Sequence, residues 1–258
     1  MELSREYLGR LASLHQILIF RNLKATYQDT WLGYAWTLVT PLIYAGILVF
    51  LFEQVLEIKM RRFSSYLLIG ILAYRWFQSA LSQGARSITS NRVLARRPGF
   101  DVAVLPIVPV TSNLLDFLLS LPILAIVLAI GGSELSSALL AIPILLLVQY
   151  ILTLGFAYLL SAANLIFRDT SHVADLALTA GFFLTPIFYD IENVPESIRP
   201  LFYLNPLVPL MDGYRSALID GQWPDVVPLL VVGIASLVVL VVGIKMFGKV
   251  IHKHIEEA

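Results

Sequence analysis

RSITSNRVLARRPGFD, residues 86–101, sets four arginines and one aspartate between two long apolar runs. A short basic segment flanked in this way has the pattern of a loop joining two membrane-crossing helices. Ile88, Val93, Leu94 and Phe100 interleave apolar side chains with the charges. Two readings fit the stretch. It is positive charge that orients the chain and nothing more, or residues 87–95 form a short amphipathic helix, ending before Pro98-Gly99, that docks in another protein's groove.

Composition agrees with a membrane setting. Of 258 residues, 58% are apolar and 14% charged, whereas a soluble domain sits nearer about half apolar and about a quarter charged. Formal net charge is zero, which points away from a nucleic-acid partner. There is no cysteine, so disulfides, thiolate metal sites and cysteine nucleophiles are excluded. The first thirty residues lack the continuous apolar core and small-residue cleavage site of a signal peptide. The expectation is an all-α integral membrane protein, one domain over residues 1–258, that keeps its N-terminus.

Working outward, six transmembrane helices are expected near residues 36–56, 65–85, 102–130, 138–163, 173–189 and 226–247. A crossing needs about 20 apolar residues, and the fifth run is short and contains Pro186. Pro106, Pro109, Pro122 and Pro143 also interrupt apolar runs, which lipid tolerates only where protein or water satisfies the freed carbonyls. Residues 1–30 place Leu3, Tyr7, Leu11, Leu14 and Leu18 at helical spacing. That is an amphipathic interface helix, lying in the membrane surface or packed on another protein.

Lysine and arginine set the orientation. With a cytoplasmic N-terminus the inside segments hold Arg5, Arg10, Arg21, Lys24, Arg86, Arg92, Arg96, Arg97, Arg168, Lys245, Lys249 and Lys253. The outside holds only Lys59, Arg61, Arg62, Arg199 and Arg215. Both termini are therefore expected in the cytoplasm. The long outer loop, residues 190–225, contains runs at 201–210 and 211–219 that are too apolar for a free loop and too short to span. They read as short re-entrant helices before the last span.

No GxxxxGK[ST], HExxH or GxSxG motif is present, and His15, His172, His252 and His254 lie near span ends. The chain is read as no enzyme, with no metal site. Arg75 and Asp116 fall at similar depth inside spans two and three, where a lone charge is costly. A structural Arg75–Asp116 ion pair is favoured over a substrate contact or a proton relay. Tyr27, Trp31, Tyr34 and Trp36 open the first span, either as interfacial anchors or as pore-facing rings that stack on sugars.

Several short motifs, taken in order, identify a family. They are the amphipathic N-terminal segment running into Arg21…Tyr27…Trp31-Leu32-Gly33-Tyr34-Ala35-Trp36…Pro41, then Asn164-Leu165-Ile166-Phe167-Arg168-Asp169, then Tyr203-Leu204-Asn205-Pro206-Leu207 and Tyr214-Arg215. Over essentially its whole length the chain resembles the permease subunit of type-2 ABC exporters, in the branch that moves O-antigen, capsule or teichoic-acid polymers. The resemblance implies a bacterial inner-membrane homodimer enclosing a channel, with two separate ATP-binding cassette subunits carrying ATP and Mg. The partners it implies are a lipid-linked polysaccharide as cargo and the surrounding membrane lipids.

By the same resemblance Ser87, Arg92, Val93, Leu94, Arg96 and Arg97 belong to a coupling helix, and Arg168 and Asp169 to a second cytoplasmic contact. Leu201, Tyr203, Asn205, Pro206, Tyr214 and Arg215 would lie in an external gate. Tyr27, Trp31, Tyr34 and Trp36 would guide the glycan. Two alternatives stand beside this reading: a type-2 exporter of a small amphiphile or drug, and a non-transporting membrane scaffold for envelope assembly.

Overall fold

The computed structural model describes residues 15–22, 33–55, 62–133 and 136–255, and every regular element among them is helical. In chain order these are α1 (residues 15–22), α2 (Trp36–Val49, running on as a π turn through Phe50–Val55) and α3 (Phe63–Ala85). Next come α4 (Arg92–Ala95), α5 (Val104–Ile130), α6 (Ile142–Ile166) and α7 (Thr170–Leu184). The last are α8 (Arg199–Phe202), α9 (Leu207–Arg215) and α10 (Val226–Ile255).

Three helices are long and apolar enough to cross a bilayer: Val104–Ile130, Ser137–Ile166 and Val226–Lys253. The other runs expected to span are helical too, with different proportions. The apolar stretch Val39–Val55 is shorter. The α3 helix has 23 residues, but Arg75, Gln78, Ser79, Ser82 and Gln83 make its second half polar. The α7 helix has 15 residues, below the roughly 20 that a perpendicular crossing needs. The outward faces of α2 and α10 leave Ile43, Ile47, Phe50, Val231, Ile234 and Val238 exposed. Apolar surface of that extent belongs in lipid, and the protein is membrane-embedded.

The α3 helix forms the axis. Residues 67–74 are buried without a break, the mark of a helix enclosed on all sides. Its neighbours are α5, α6, α2, α7 and α9. The α5 face is held by Trp76, which packs on Phe117 and donates to the Val110 carbonyl at 3.3 Å. At the α6–α10 crossing two glycines meet. A Cβ on Gly243 would sit 2.5 Å from the Gly155 carbonyl oxygen, and one on Gly155 would sit 2.6 Å from the Leu240 nitrogen. Only glycine lets these backbones approach so closely.

The prolines act in three ways. The α5 helix runs through Pro109 and Pro122 without ending. Pro143 lies in the first turn of α6, after a 3-10 lead-in over Ser137–Ala141, where its missing N–H is one the helix leaves unbonded anyway. Pro186 does end its helix: Thr185 is extended and α7 stops at Leu184, as the steric demand of a following proline requires.

One expectation needs correction. The segment of residues 190–225 breaks at Asn205-Pro206 and not near residue 210. The Asn205 side chain accepts the Leu207 N–H at 3.0 Å and so starts α9, while Pro206 cannot continue the preceding turn. In α1, the described part of the N-terminal segment, Leu18 and Ile19 are buried on Val104 and Val108 of the same chain. Ile17 and Phe20 form its exposed face.

Candidate functional site

The 86–101 loop is a fixed element with an outward face. Ile88 and Ala95 are buried against Val102, Leu105, Tyr158 and Phe247. Thr89–Asn91 makes one 3-10 turn before α4, so the expected helix over residues 87–95 is two short pieces. Between the anchors Val93 projects outward, 81% exposed, and Arg92, Arg96 and Arg97 are exposed around it. Leu94 turns inward toward Leu18 and Val104. Gly99 then reverses the chain at φ +78°, a conformation natural to glycine.

Side-chain hydrogen bonds tie this loop to its neighbours. Ser87, itself buried, pairs with the Ser161 hydroxyl of α6 at 3.0 Å. Asn91 donates to the Ser87 carbonyl at 2.9 Å and accepts from Arg21 of α1 at 2.7 Å. Asn164, at the end of α6, donates to the Thr89 hydroxyl at 3.4 Å and accepts the Ser171 N–H of α7 at 3.1 Å. Arg86 pairs with Asp175 of α7 at 2.7 Å. Arg168 and Asp169 are exposed in the adjoining α6–α7 turn. The two predicted contact regions thus form one basic platform, pinned to α3, α6 and α7.

At the opposite end, the residues predicted as a gate divide into two sets. Leu201 and Tyr203 are exposed, whereas Tyr214 and Arg215 are buried. Arg215 donates to the carbonyls of Pro186 at 2.7 Å and Ile187 at 3.2 Å, and its guanidinium lies over the Tyr66 ring. Asp212 is 3.8 Å away. Asn205 donates to the Thr185 hydroxyl at 2.8 Å, and Tyr66 donates to the Tyr189 carbonyl at 2.9 Å. The break at Pro186 exposes carbonyls that α7 no longer uses, and α9 supplies the donors.

Sequence reasoning missed Arg62 and the aromatic cluster. Arg62 has φ +57° and donates to the Gly132 and Ile219 carbonyls at 2.7 and 2.6 Å, joining the turns that follow α5 and α9. Phe182, Phe183, Phe188 and Tyr189 form a chain of ring contacts that reaches Phe202. Their clustering around Pro186 was the signal in the sequence.

Ion pairs among the described residues include Arg86–Asp175 and Arg215–Asp212; Arg75 and Asp116, expected to pair, lie on α3 and α5. Both side chains are half-buried. The α3 face toward α5 belongs to Trp76, and Arg75 is turned about 100° away from it. Tyr27 and Trp31 lie outside the described residues, as does the side chain of Tyr34. Trp36 is exposed at the start of α2.

Residues 14–219 match the family described as ABC-2 type transporter. The chain belongs to that family. Permeases of the ABC-2 family work with an ATP-binding subunit, which is separate from the permease. This ABC-2 permease is 34% identical over 237 residues to an O-antigen export system permease protein RfbA of Myxococcus xanthus, covering 91% of this chain and 90% of that one. It is 28% identical over 258 residues to a protein of the same name from Klebsiella pneumoniae, covering 99% of each. A polysialic acid transport protein, KpsM, of Escherichia coli is 21% identical over 235 residues, covering 90% of this chain and 91% of that one.

Proposed function

We propose that the protein is the channel-forming subunit of an ATP-driven exporter that moves an O-antigen-like, lipid-linked polysaccharide out of the cytoplasm. In this reading two copies assemble in the bacterial inner membrane, each with six spans, cytoplasmic termini and re-entrant α8 and α9. Two ATP-binding cassette subunits bind ATP and Mg. The chain moves cargo by changing conformation and breaks no covalent bond.

The observation that carries this reading is the joined basic platform. The Ser87–Ser161 and Asn164–Thr89 contacts weld the loop after α3 to the end of α6, and Arg86–Asp175 extends the joint to α7. A push on Val93, Arg92, Arg96 and Arg97 therefore reaches three helices together. The enclosed α3 helix, 23 residues long, carries that displacement about 35 Å at 1.5 Å per residue. At its other end stands Tyr66, beneath Arg215. ATP-driven closure of the cassette subunits would thus act on α9 through a packed rod.

The test is co-purification with the cassette subunit, followed by charge reversal of Arg92, Arg96 and Arg97 to glutamate. Loss of assembly and of stimulated ATP hydrolysis, with polymer retained inside the cell, is the expected outcome. Wild-type protein that never associates with a cassette subunit, yet supports polymer export, sinks the proposal.

A further inference from the structure

A cleft of about 570 Å³ opens between the Arg96–Ala103 stretch and the last turns of α10. Its walls include Phe100 and Val102 on one side and Phe247, Gly248 and Ile251 on the other, with Arg96 and Arg97 at the rim. Gly248 is exposed, and a Cβ placed there would have no neighbour within 4 Å. The helix backbone is bare at that point and the space beyond it is open.

We infer that this cleft is a second docking site for the cassette subunit, receiving an apolar side chain carried on an acidic segment. The inference rests on the proposed function and extends the docking surface from the coupling loop to α10. Two observations favour that occupant. Arg96 and Arg97 belong both to the platform and to the rim, so a subunit seated on Val93 is adjacent to the cleft. The lining sets two arginines against one carboxylate, Asp101, over an apolar floor, and this cationic excess favours an amphipathic segment that brings acidic residues to Arg96 and Arg97. Seating a side chain here would couple the end of α10 to the same partner that moves α3, α6 and α7. Through the close α6–α10 crossing, both sides of the bundle would then move together.

The chain contains no cysteine, so Gly248→Cys introduces a single thiol facing the cleft. Maleimide labelling of this variant is followed in nanodiscs of neutral lipid, in nanodiscs containing anionic lipid, and in the complex with the cassette subunit that co-purifies with wild type. Labelling is expected to proceed freely in both lipids and to slow by about tenfold or more in the complex, where a packed contact excludes water. Gly248→Trp, which fills the cleft from α10, is expected to weaken retention of the cassette subunit by about tenfold. Labelling unchanged by the complex overturns the assignment. So does protection in isolated permease, which would mean that the chain fills its own cleft, and so does protection by anionic lipid alone, which would mean a headgroup site. Should wild type not co-purify with a cassette subunit, the proposed function fails. Should it co-purify while the thiol stays open, only the cleft assignment fails.

Discussion

The guanidinium of Arg215 lies 3.4 Å from the centroid of the Tyr66 ring, and the same group donates to the carbonyls that follow the Pro186 break. One buried cation thereby joins α9, α3 and the end of α7. Gly70 makes room for it: a Cβ there would meet Ile187 Cγ2 at 3.0 Å and Arg215 Nη2 at 3.2 Å. The fork shape matters, because two carbonyls and a ring face are served by one planar group.

Arg215→Ala is expected to destabilise the protein by about 2–4 kcal/mol, since it strands two buried carbonyls and removes the stacking. Arg215→Lys recovers little, because a lysine ammonium is compact and cannot stack as a plane. Tyr66→Phe keeps the ring and loses the hydroxyl with its bond to the Tyr189 carbonyl, at a cost of about 1 kcal/mol. Thermal unfolding in one detergent ranks the three. A lysine variant as stable as wild type would contradict the latch.

The glycine contact at the α6–α10 crossing makes a sharper demand. Gly243→Ala forces a Cβ to 2.5 Å from the Gly155 oxygen, so the helices must separate. The expected loss is about 3 kcal/mol, at the upper end for overpacking because backbone cannot repack. Gly233→Ala, on the same helix with its nearest neighbour 4.0 Å away, is expected to be neutral or slightly stabilising, because alanine favours helix. Comparing melting temperatures of the two variants tests the crossing, and equal values would refute it.

Arg86 and Asp175 join the loop to α7, and both side chains are more than a third exposed. An ion pair of this exposure contributes about 0.2–1 kcal/mol, so neither single change should unfold the protein. The expected effect is on coupling. Arg86→Asp lowers cassette-stimulated ATP hydrolysis severalfold, and Asp175→Arg added to it restores part of the loss. A double variant no better than the singles would show that the pair does not transmit.

Much of this organisation is legible in the sequence, and the limits have a physical cause. Hydrophobic runs and prolines act locally, so the helical runs and the interruption at Pro186 follow from the order of residues, whereas the order alone treats Val93 and Leu94 alike and the fold turns one outward and the other in. Depth along a helix also follows from counting. The rotation of one helix against another does not, so counting matches Arg75 and Asp116 in depth without showing that Trp76 holds the α3 face toward α5. Arg215 counts as an outer-loop charge until the fold shows it buried. Its setting within Leu207–Arg215, next to an apolar Val208, Leu210 and Met211, was the available hint. The short turn at residues 89–91 escapes a helical reading because the 3-10 geometry there is set by Asn91 bonding back to Ser87.

Asn164 separates holding the cassette subunit from responding to it. Its amide accepts from Ser171 and donates to Thr89, so it joins α6, α7 and the loop without reaching the outward face. Asn164→Asp keeps the acceptor and loses the donor, which loosens one tie between the loop and α6 while leaving the start of α7 in place. Asn164→Leu loses both bonds in a similar volume. Stability should fall by more than about 1 kcal/mol in both, because aspartate buries a carboxyl group without a cation partner and leucine strands a buried N–H. Assembly with the cassette subunit should survive in both, since Val93, Arg92, Arg96 and Arg97 are untouched. Stimulated hydrolysis and polymer export should drop together, in the order wild type, aspartate, leucine. Purified complexes assayed for retention and for ATP hydrolysis give the two readouts separately. If retention is lost along with hydrolysis, Asn164 supports the docking surface itself and is no relay between the loops.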